Sequence, residues 1–139
     1  MNDKHMFEAA ADCSKNANYT GGSQVRLGCI AAYKGSILAK GCNSDKTHTM
    51  QEQYNRYRFK SDGKRYLPAK CHAEMNVLTK IKYLDIDFSD VHIYVYREFK
   101  DGQTAMARPC PACLQALRNM GIKKIHYTTD KGIAYEKLS

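Results

Sequence analysis

Two short runs of the sequence carry side chains that bind metals and move protons. They are CHAE at positions 71–74 and RPCPAC at positions 108–113. Two cysteines separated by two residues can hold one tetrahedral ion from the first turn of a helix, and a histidine elsewhere in the chain can supply a third ligand. Three protein ligands leave one position for a water, whose pKa zinc lowers towards neutrality. Glu74 lies two residues from His72, where a carboxylate can move the proton of that water.

These two motifs, His-x-Glu followed by Pro-Cys-x-x-Cys, resemble the signature of the zinc-dependent nucleobase deaminases. The chain is similar to the cytidine deaminase superfamily at residues 72–74 for the first motif and 109–113 for the second. The resemblance implies one Zn²⁺ held by His72, Cys110 and Cys113, with Glu74 as the catalytic proton shuttle. It further implies a hydrolase that converts cytosine to uracil.

The resemblance also indicates where the substrate is held. Asn43 matches only a Gly-x-Asn pattern after a predicted strand, where relatives use an asparagine to bind the sugar. An amide suits this role because it both donates and accepts hydrogen bonds. The alternative is an asparagine that is hydrogen-bonded to its own turn. The backbone at Ala73 and near Arg108 or Pro109 is expected to hold the base edge. Relatives often have serine or threonine where Arg108 stands. Expected pocket walls are Tyr96, with Tyr94 and Phe99 as further candidates, and His48.

Composition indicates one folded domain over residues 1–139. Hydrophobic residues make up 43% of the chain and no long apolar run occurs, which argues against disorder and against a membrane span. The first residues lack the pattern of a signal peptide, so a cytoplasmic location is expected. In a reducing compartment a Cys-x-x-Cys motif favours metal binding over a disulfide. The cysteines outside the motifs are expected to be small buried hydrophobes: Cys13, Cys29 and Cys42.

The net charge of +8 indicates a polyanionic partner. Residues 56–70 contain six basic residues and one acid, with aromatic residues between and beside them. Basic side chains bind phosphates and aromatic rings stack on exposed bases, so this segment favours single-stranded nucleic acid; a solvated charged loop is the alternative. The expected phosphate contacts are Arg56, Arg58, Lys64 and Arg65.

Hydrophobic periodicity predicts helices over residues 3–17, 71–83 and 111–120, and strands over 25–33, 36–40, 91–96, 124–129 and 133–138. Residues 97–107 are predicted to be a polar loop. The three-residue turn at 130–132 can only return the chain antiparallel. With the resemblance, these elements predict an α/β, three-layer cytidine-deaminase-like fold. Its mixed five-stranded sheet is flanked by helices, and its last two strands form an antiparallel hairpin.

The net charge and the basic segment make cytosine in single-stranded DNA or RNA the favoured substrate. There is one main alternative. Free cytidine, deoxycytidine or a nucleotide is favoured by the closing hairpin, which resembles that of the free-nucleoside enzymes, and by the small size of the chain. Enzymes of that type are often tetramers, so a homo-oligomer is also an expectation. The motifs do not distinguish cytosine from adenine, because the same chemistry attacks both bases.

Three other readings compete with a deaminase. A structural zinc would take Cys71 as a fourth ligand. A thioredoxin-like redox pair would use Cys110 and Cys113, but leaves the His-x-Glu motif unexplained. A catalytically silent, zinc-stabilised nucleic-acid-binding module would have no need of Glu74.

Overall fold

A computed structural model describes residues 3–15, 25–43, 72–99 and 101–138 of the chain. Within this part, three α-helices alternate with five strands. In chain order they are α1 (Asp3–Ser14), β1 (Val25–Tyr33), β2 (Ser36–Cys42), α2 (Ala73–Ile81), β3 (Val91–Phe99), α3 (Pro111–Met120), β4 (Lys124–Thr129) and β5 (Gly132–Lys137). A 3₁₀ turn at Phe88–Asp90 leads into β3. None of the described helices is long and apolar enough to cross a bilayer.

The five strands form one mixed sheet in the order β2-β1-β3-β4-β5. Strand β1 pairs antiparallel with both β2 and β3, whereas β3 and β4 run parallel. A parallel pair needs a crossover connection, and α3 provides it. Strands β4 and β5 are antiparallel, joined through the turn at residues 130–131. The predicted α/β fold with its closing antiparallel hairpin is therefore confirmed.

Each face of the sheet has its own apolar core. On one face α1 packs Met6, Phe7 and Ala10 against Ile30 and Tyr94. On the other face the larger core joins the odd-numbered residues of β3 to side chains of α2 and α3. Successive residues of a strand point to opposite faces, so the helices make three layers with the sheet in the middle.

Helix α1 approaches β1 very closely at Gly28. A Cβ added there would lie 2.0 Å from the carbonyl oxygen of Ala10 and 2.8 Å from the backbone nitrogen of Ser14. Only glycine allows two backbones to come this near. The N-terminal end of α1 is held by Asp3, whose Oδ1 accepts a hydrogen bond of 2.7 Å from the Tyr94 hydroxyl.

The predicted elements differ from the observed ones mainly at their ends. Helix α1 ends at Ser14 within the described residues, and β2 continues to Cys42. The prediction that residue 97 begins a polar loop was wrong, because residues 97–99 continue β3 and pair with Val25, Arg26 and Leu27 of β1. The extension places Arg97 in a strand, which matters for the site.

Candidate active site

Helices α2 and α3 begin side by side, and the two sequence motifs lie at these beginnings. His72 is the residue before α2 and Cys110 the residue before α3, and both have extended backbone conformations. Pro111 at the first position of α3 fixes a helical φ and lacks an N–H that would otherwise be unpaired. Because helix N-termini carry partial positive charge, both ends favour thiolate and carboxylate groups nearby.

Helix α2 is held at this place by β2. Asn76 donates from Nδ2 to the carbonyl oxygen of Cys42 over 3.2 Å. Lys80 donates to the carbonyl oxygen of Lys40. At Gly41 a Cβ would lie 3.0 Å from the carbonyl oxygen of Ala73, so the first turn of α2 rests directly on the strand.

His72, Cys110 and Cys113 converge on one point. Their ligand atoms all lie within 4.8 Å of one another, and Nδ1 of His72 is 3.5 Å from Sγ of each cysteine. A tetrahedral zinc with ordinary zinc–sulfur and zinc–nitrogen bonds would separate these atoms by about 3.5 Å. The separations between His72 and the two cysteines therefore match those of a tetrahedral zinc site.

The two sulfurs also have the proton chemistry that a metal site needs. A hydrogen bond from the Cys113 thiol lowers the pKa of Cys110 to about 4, against the opposing effect of burial. The same hydrogen bond, together with burial, raises the pKa of Cys113. The pair therefore favours the loss of one thiol proton, and thiolates are the form in which cysteine binds zinc.

Glu74 lies in the first turn of α2 with only 4% of its surface exposed. Burial raises the pKa of Glu74, because a buried carboxylate loses its hydration. His72 and a hydrogen bond to Cys113 oppose this rise, whereas the charge of Cys110 adds to it. A carboxyl with a raised pKa beside a zinc-ligand set is suited to accept and return a proton.

A cavity of about 310 Å³ opens onto this cluster. This volume is at the lower end for small-molecule sites and suits a single small ligand. Its lining includes Glu74, which is buried, and Met106, which is 51% exposed. The described residues that line it are Leu27, His72, Glu74, Arg97, Met106, Ala107, Arg108 and Cys110.

The segment between β3 and α3 is fixed to the sheet by Thr128, a buried residue of β4. Its Oγ1 accepts a hydrogen bond from the backbone N–H of Arg97 and donates one of 2.9 Å to the carbonyl oxygen of Ala105. The carbonyl oxygen of Thr128 accepts from the N–H of Ala107. These bonds hold one wall of the cavity at the carboxyl ends of the two parallel strands, where α/β proteins commonly place their sites.

Arg108 lines the cavity, and its positive charge is offset by Glu136 of β5. Its Nε and Nη2 donate to the two carboxylate oxygens of Glu136, both over 2.9 Å. The Tyr127 hydroxyl donates to Glu136 Oε1 over 3.2 Å. Arg108 therefore ties the segment before α3 to the closing hairpin.

Several of the predicted substrate contacts lie at or near the cavity. Ala73 is fully buried at the start of α2, and Pro109 is buried beside the zinc ligand Cys110. Asn43 follows β2, and its Oδ1 accepts a hydrogen bond of 3.0 Å from the N–H of Leu27, a residue of the cavity wall. The bond fixes the Asn43 amide at the edge of the site.

The structure does not bring Tyr96 to the cavity. Tyr94 and Tyr96 are even-numbered residues of β3 and lie on the face covered by α1, where the Tyr96 hydroxyl donates to Glu98 over 3.0 Å. Phe99 lies at the end of β3 and is 43% exposed. The remaining predicted contacts fall outside the described residues: His48, Arg56, Arg58, Lys64 and Arg65.

Arg97 also lines the cavity, although the sequence pattern predicts a loop at this position. The strand pattern held the signal. Val91, Ile93 and Val95 are buried in the core beneath α2 and α3, and the same alternation puts Arg97 on their face.

A three-layer α/β fold, a His-Cys-Cys zinc-ligand set and a buried carboxyl in one cavity define a single-zinc hydrolase. The profile of the family described as cytidine and deoxycytidylate deaminase zinc-binding region matches residues 1–129. The chain belongs to this family of zinc-dependent deaminases. None of the curated proteins matches the chain in sequence.

Solved structures of similar fold include two kinds of deaminase. The cytidine deaminase from Burkholderia pseudomallei is 18% identical, with a TM-score of 0.64 over 99% of this chain and 93% of that chain. The dCMP deaminase from the cyanophage S-TIM5 is 21% identical, with a TM-score of 0.56 over 91% and 81%. The cytidine deaminase from Mycobacterium leprae is 19% identical, with a TM-score of 0.56 over 97% and 93%. At these identities the likeness establishes the fold.

Proposed function

We propose that the protein deaminates the cytosine base of a free nucleoside or nucleotide to uracil, consuming water and releasing ammonia. One observation carries this proposal: the zinc-ligand set and buried Glu74 meet in a cavity of a size for one small ligand. The similar structures named above are deaminases of cytidine and of dCMP, which supports a free substrate over a polymer.

A zinc ion held by His72, Cys110 and Cys113 would supply a water activated for attack on C4 of the base. Glu74 takes one proton of that water and delivers it to ring N3, which makes C4 electrophilic, and the water oxygen bonds to C4. Glu74 then takes the second proton from the new C4 hydroxyl and passes it to the exocyclic nitrogen, so that the C4–N bond breaks, ammonia leaves and C4 becomes a carbonyl. A buried carboxyl suits both transfers because burial raises its pKa towards neutral pH, where it can both accept and release a proton.

The base edge is proposed to lie against the start of α2 and the segment before α3. Ala73 is buried at the start of α2, and Arg108, next to Pro109 in the chain, lines the cavity. Asn43, held by Leu27, would meet the sugar at the rim. We further propose that residues 1–139 act as a single domain.

A second candidate substrate is cytosine in single-stranded nucleic acid. The net charge of +8 and the excess of basic residues at positions 56–70 favour it. Binding to a phosphate backbone depends steeply on salt, because counterions are released from the polymer. A free nucleoside carries no phosphate and lacks this dependence.

A substrate panel tests the proposal. Zinc-loaded protein is offered cytidine, deoxycytidine, their monophosphates, adenosine, and an oligonucleotide containing one cytosine as single and double strand. Uracil formed from the free substrates, with little product from the oligonucleotide, is expected. Faster, salt-sensitive turnover of the single-stranded oligonucleotide would instead establish the second candidate. Reaction of adenosine alone would contradict both.

A further inference from the structure

Arg97 is a cation at the cavity whose charge no acidic side chain offsets among the described residues. The other pocket arginine, Arg108, forms two hydrogen bonds to Glu136. Arg97 forms no ion pair within the described part of the chain. Its Nη1 donates a hydrogen bond of 3.2 Å to the carbonyl oxygen of Met106.

The guanidinium of Arg97 is held in place, but not all of its N–H donors are used within the described residues. The backbone of Arg97 is fixed on both sides, since its N–H donates to Thr128 Oγ1 and its carbonyl accepts from the N–H of Ala105. Nε is buried and, within the described residues, donates to no acceptor. A guanidinium has five N–H donors, and leaving a buried donor without a partner is costly. Within the described residues the guanidinium is therefore not saturated, and its terminal N–H groups can donate to a ligand.

Arg97 lines the same cavity as Glu74 and the ligand residues His72 and Cys110. The base must lie against Glu74 for proton transfer, and the cavity has the size for one small ligand. Arg97 is therefore available to another group of the same ligand, such as one attached to the sugar.

We infer that Arg97 is a specificity-determining residue that binds the phosphate of a cytosine nucleoside monophosphate. This inference rests on the proposed function and narrows its substrate class to a nucleotide. The planar fork of a guanidinium matches two phosphate oxygens, and such charge-assisted pairs are stronger than neutral hydrogen bonds. A free nucleotide and a single-stranded nucleic acid both carry a phosphate ester next to cytosine. The size of the cavity favours the free nucleotide.

The test compares deoxycytidine, dCMP and a single-stranded oligonucleotide with one cytosine. The proteins are wild type, Arg97→Gln and the control Lys131→Gln, which removes the same charge from an exposed turn. Wild-type kcat/KM should be at least about 10-fold higher for dCMP than for deoxycytidine. Arg97→Gln should lower kcat/KM for dCMP by about 10- to 100-fold and change that for deoxycytidine by less than about 3-fold. Lys131→Gln should behave as wild type.

Equal losses for both small substrates in Arg97→Gln would overturn the inference, because they indicate a structural effect. So would a wild-type enzyme that does not prefer dCMP, or one that prefers the oligonucleotide. If Arg97→Gln does not fold, Arg97→Lys keeps the charge without the fork and should show a smaller loss of the same selectivity. Inorganic phosphate should also inhibit wild-type turnover of deoxycytidine competitively, and absence of inhibition would count against the inference.

Direct binding separates this inference from the proposed function. Isothermal titration of dCMP and deoxycytidine into wild type and Arg97→Gln measures affinity without turnover. Tighter binding of dCMP that is lost in Arg97→Gln would support the phosphate contact even if no substrate were deaminated, in which case only the proposed function would fail. Equal affinity of wild type for both ligands would overturn the phosphate contact itself.

Discussion

Glu74 is the carboxyl group among the described residues that line the cavity. Its position two residues after His72 puts both side chains at the same helix end, and burial there raises the pKa of Glu74. The arrangement separates two tasks. His72 and the cysteines provide the ligands, and Glu74 is left to move protons.

Replacing Glu74 with glutamine tests this division. Glu74→Gln keeps the shape of the side chain but removes its proton chemistry, so deamination should fall by at least about 100-fold. Zinc content should stay at one ion per chain, because the three ligands are intact. Turnover is measured by uracil formation and metal by elemental analysis, with Glu8→Gln on the exposed side of α1 as the control. Residual activity above a tenth of wild type would contradict the assignment.

The zinc set could be predicted from sequence because each motif is local. Cys110 and Cys113 are three positions apart at the start of one helix, and His72 directly precedes another helix. At such helix starts the side chains can extend beyond the helix end and meet at one metal. Tyr96 and Arg97 were not predictable in the same way. Their environments depend on which face of a central strand receives which helix.

Strand β3 shows why the faces were ambiguous. Both alternating sets are apolar, with Ile93 and Val95 on one side and fully buried Tyr94 on the other. A strand covered on both faces gives no clear polar alternation. The sequence therefore predicts the strand itself, but the direction of Tyr96 follows from the packing of α1, which is a tertiary contact.

Packing of α1 on β1 depends on Gly28. A Cβ there would lie 2.0 Å from the carbonyl oxygen of Ala10, and backbone atoms cannot move aside as a flexible side chain can. Gly28→Ala should lower the free energy of unfolding by about 1–3 kcal/mol or more. Urea unfolding measures the change, with Ser36→Ala on the exposed start of β2 as the control, expected within about 0.5 kcal/mol of wild type. Equal stability of Gly28→Ala and wild type would mean that α1 does not sit at this distance.

The same face of the sheet carries a pair of histidines. Nδ1 of His92 lies 2.8 Å from Nε2 of His126, and the His126 ring stacks on Tyr94 with centroids 4.3 Å apart. Asp3 of α1 and Tyr135 of β5 also face His126. Burial lowers the pKa of His126 below 6.5, and the carboxylate of Asp3 only partly opposes this.

Stability should therefore fall when the pH drops below about 6.5. A lowered native pKa means that the unfolded chain binds protons first as the pH decreases. The stabilisation from neutral His126 is present above the unfolded pKa and is lost as the pH falls through the native pKa. Urea unfolding of wild type and His126→Gln between pH 7.5 and 5 measures the difference. His126→Gln should lose less stability over this range, and identical pH profiles would contradict the prediction.

In the whole molecule, the metal site joins segments that are far apart in the chain. Residue 72 and residues 110–113 meet where α2 and α3 begin, and Thr128 and Glu136 hold the intervening segment to the closing hairpin. A zinc ion held there would cross-link the starts of two helices on one side of the sheet. Ligands that bind only the folded state stabilise it by mass action.

Removing zinc should for this reason lower the melting temperature of the whole domain. At a free zinc concentration 100 times its dissociation constant, the stabilisation is about 2.7 kcal/mol, which for a chain of this size corresponds to a shift of about 5–10 °C. Thermal unfolding is measured with excess chelator and after zinc is restored. Cys113→Ala should lose the zinc-dependent shift, while Cys42→Ser, outside the ligand set, should keep it. A melting temperature that is the same with and without zinc in wild type would show that the ion does not link α2 to α3.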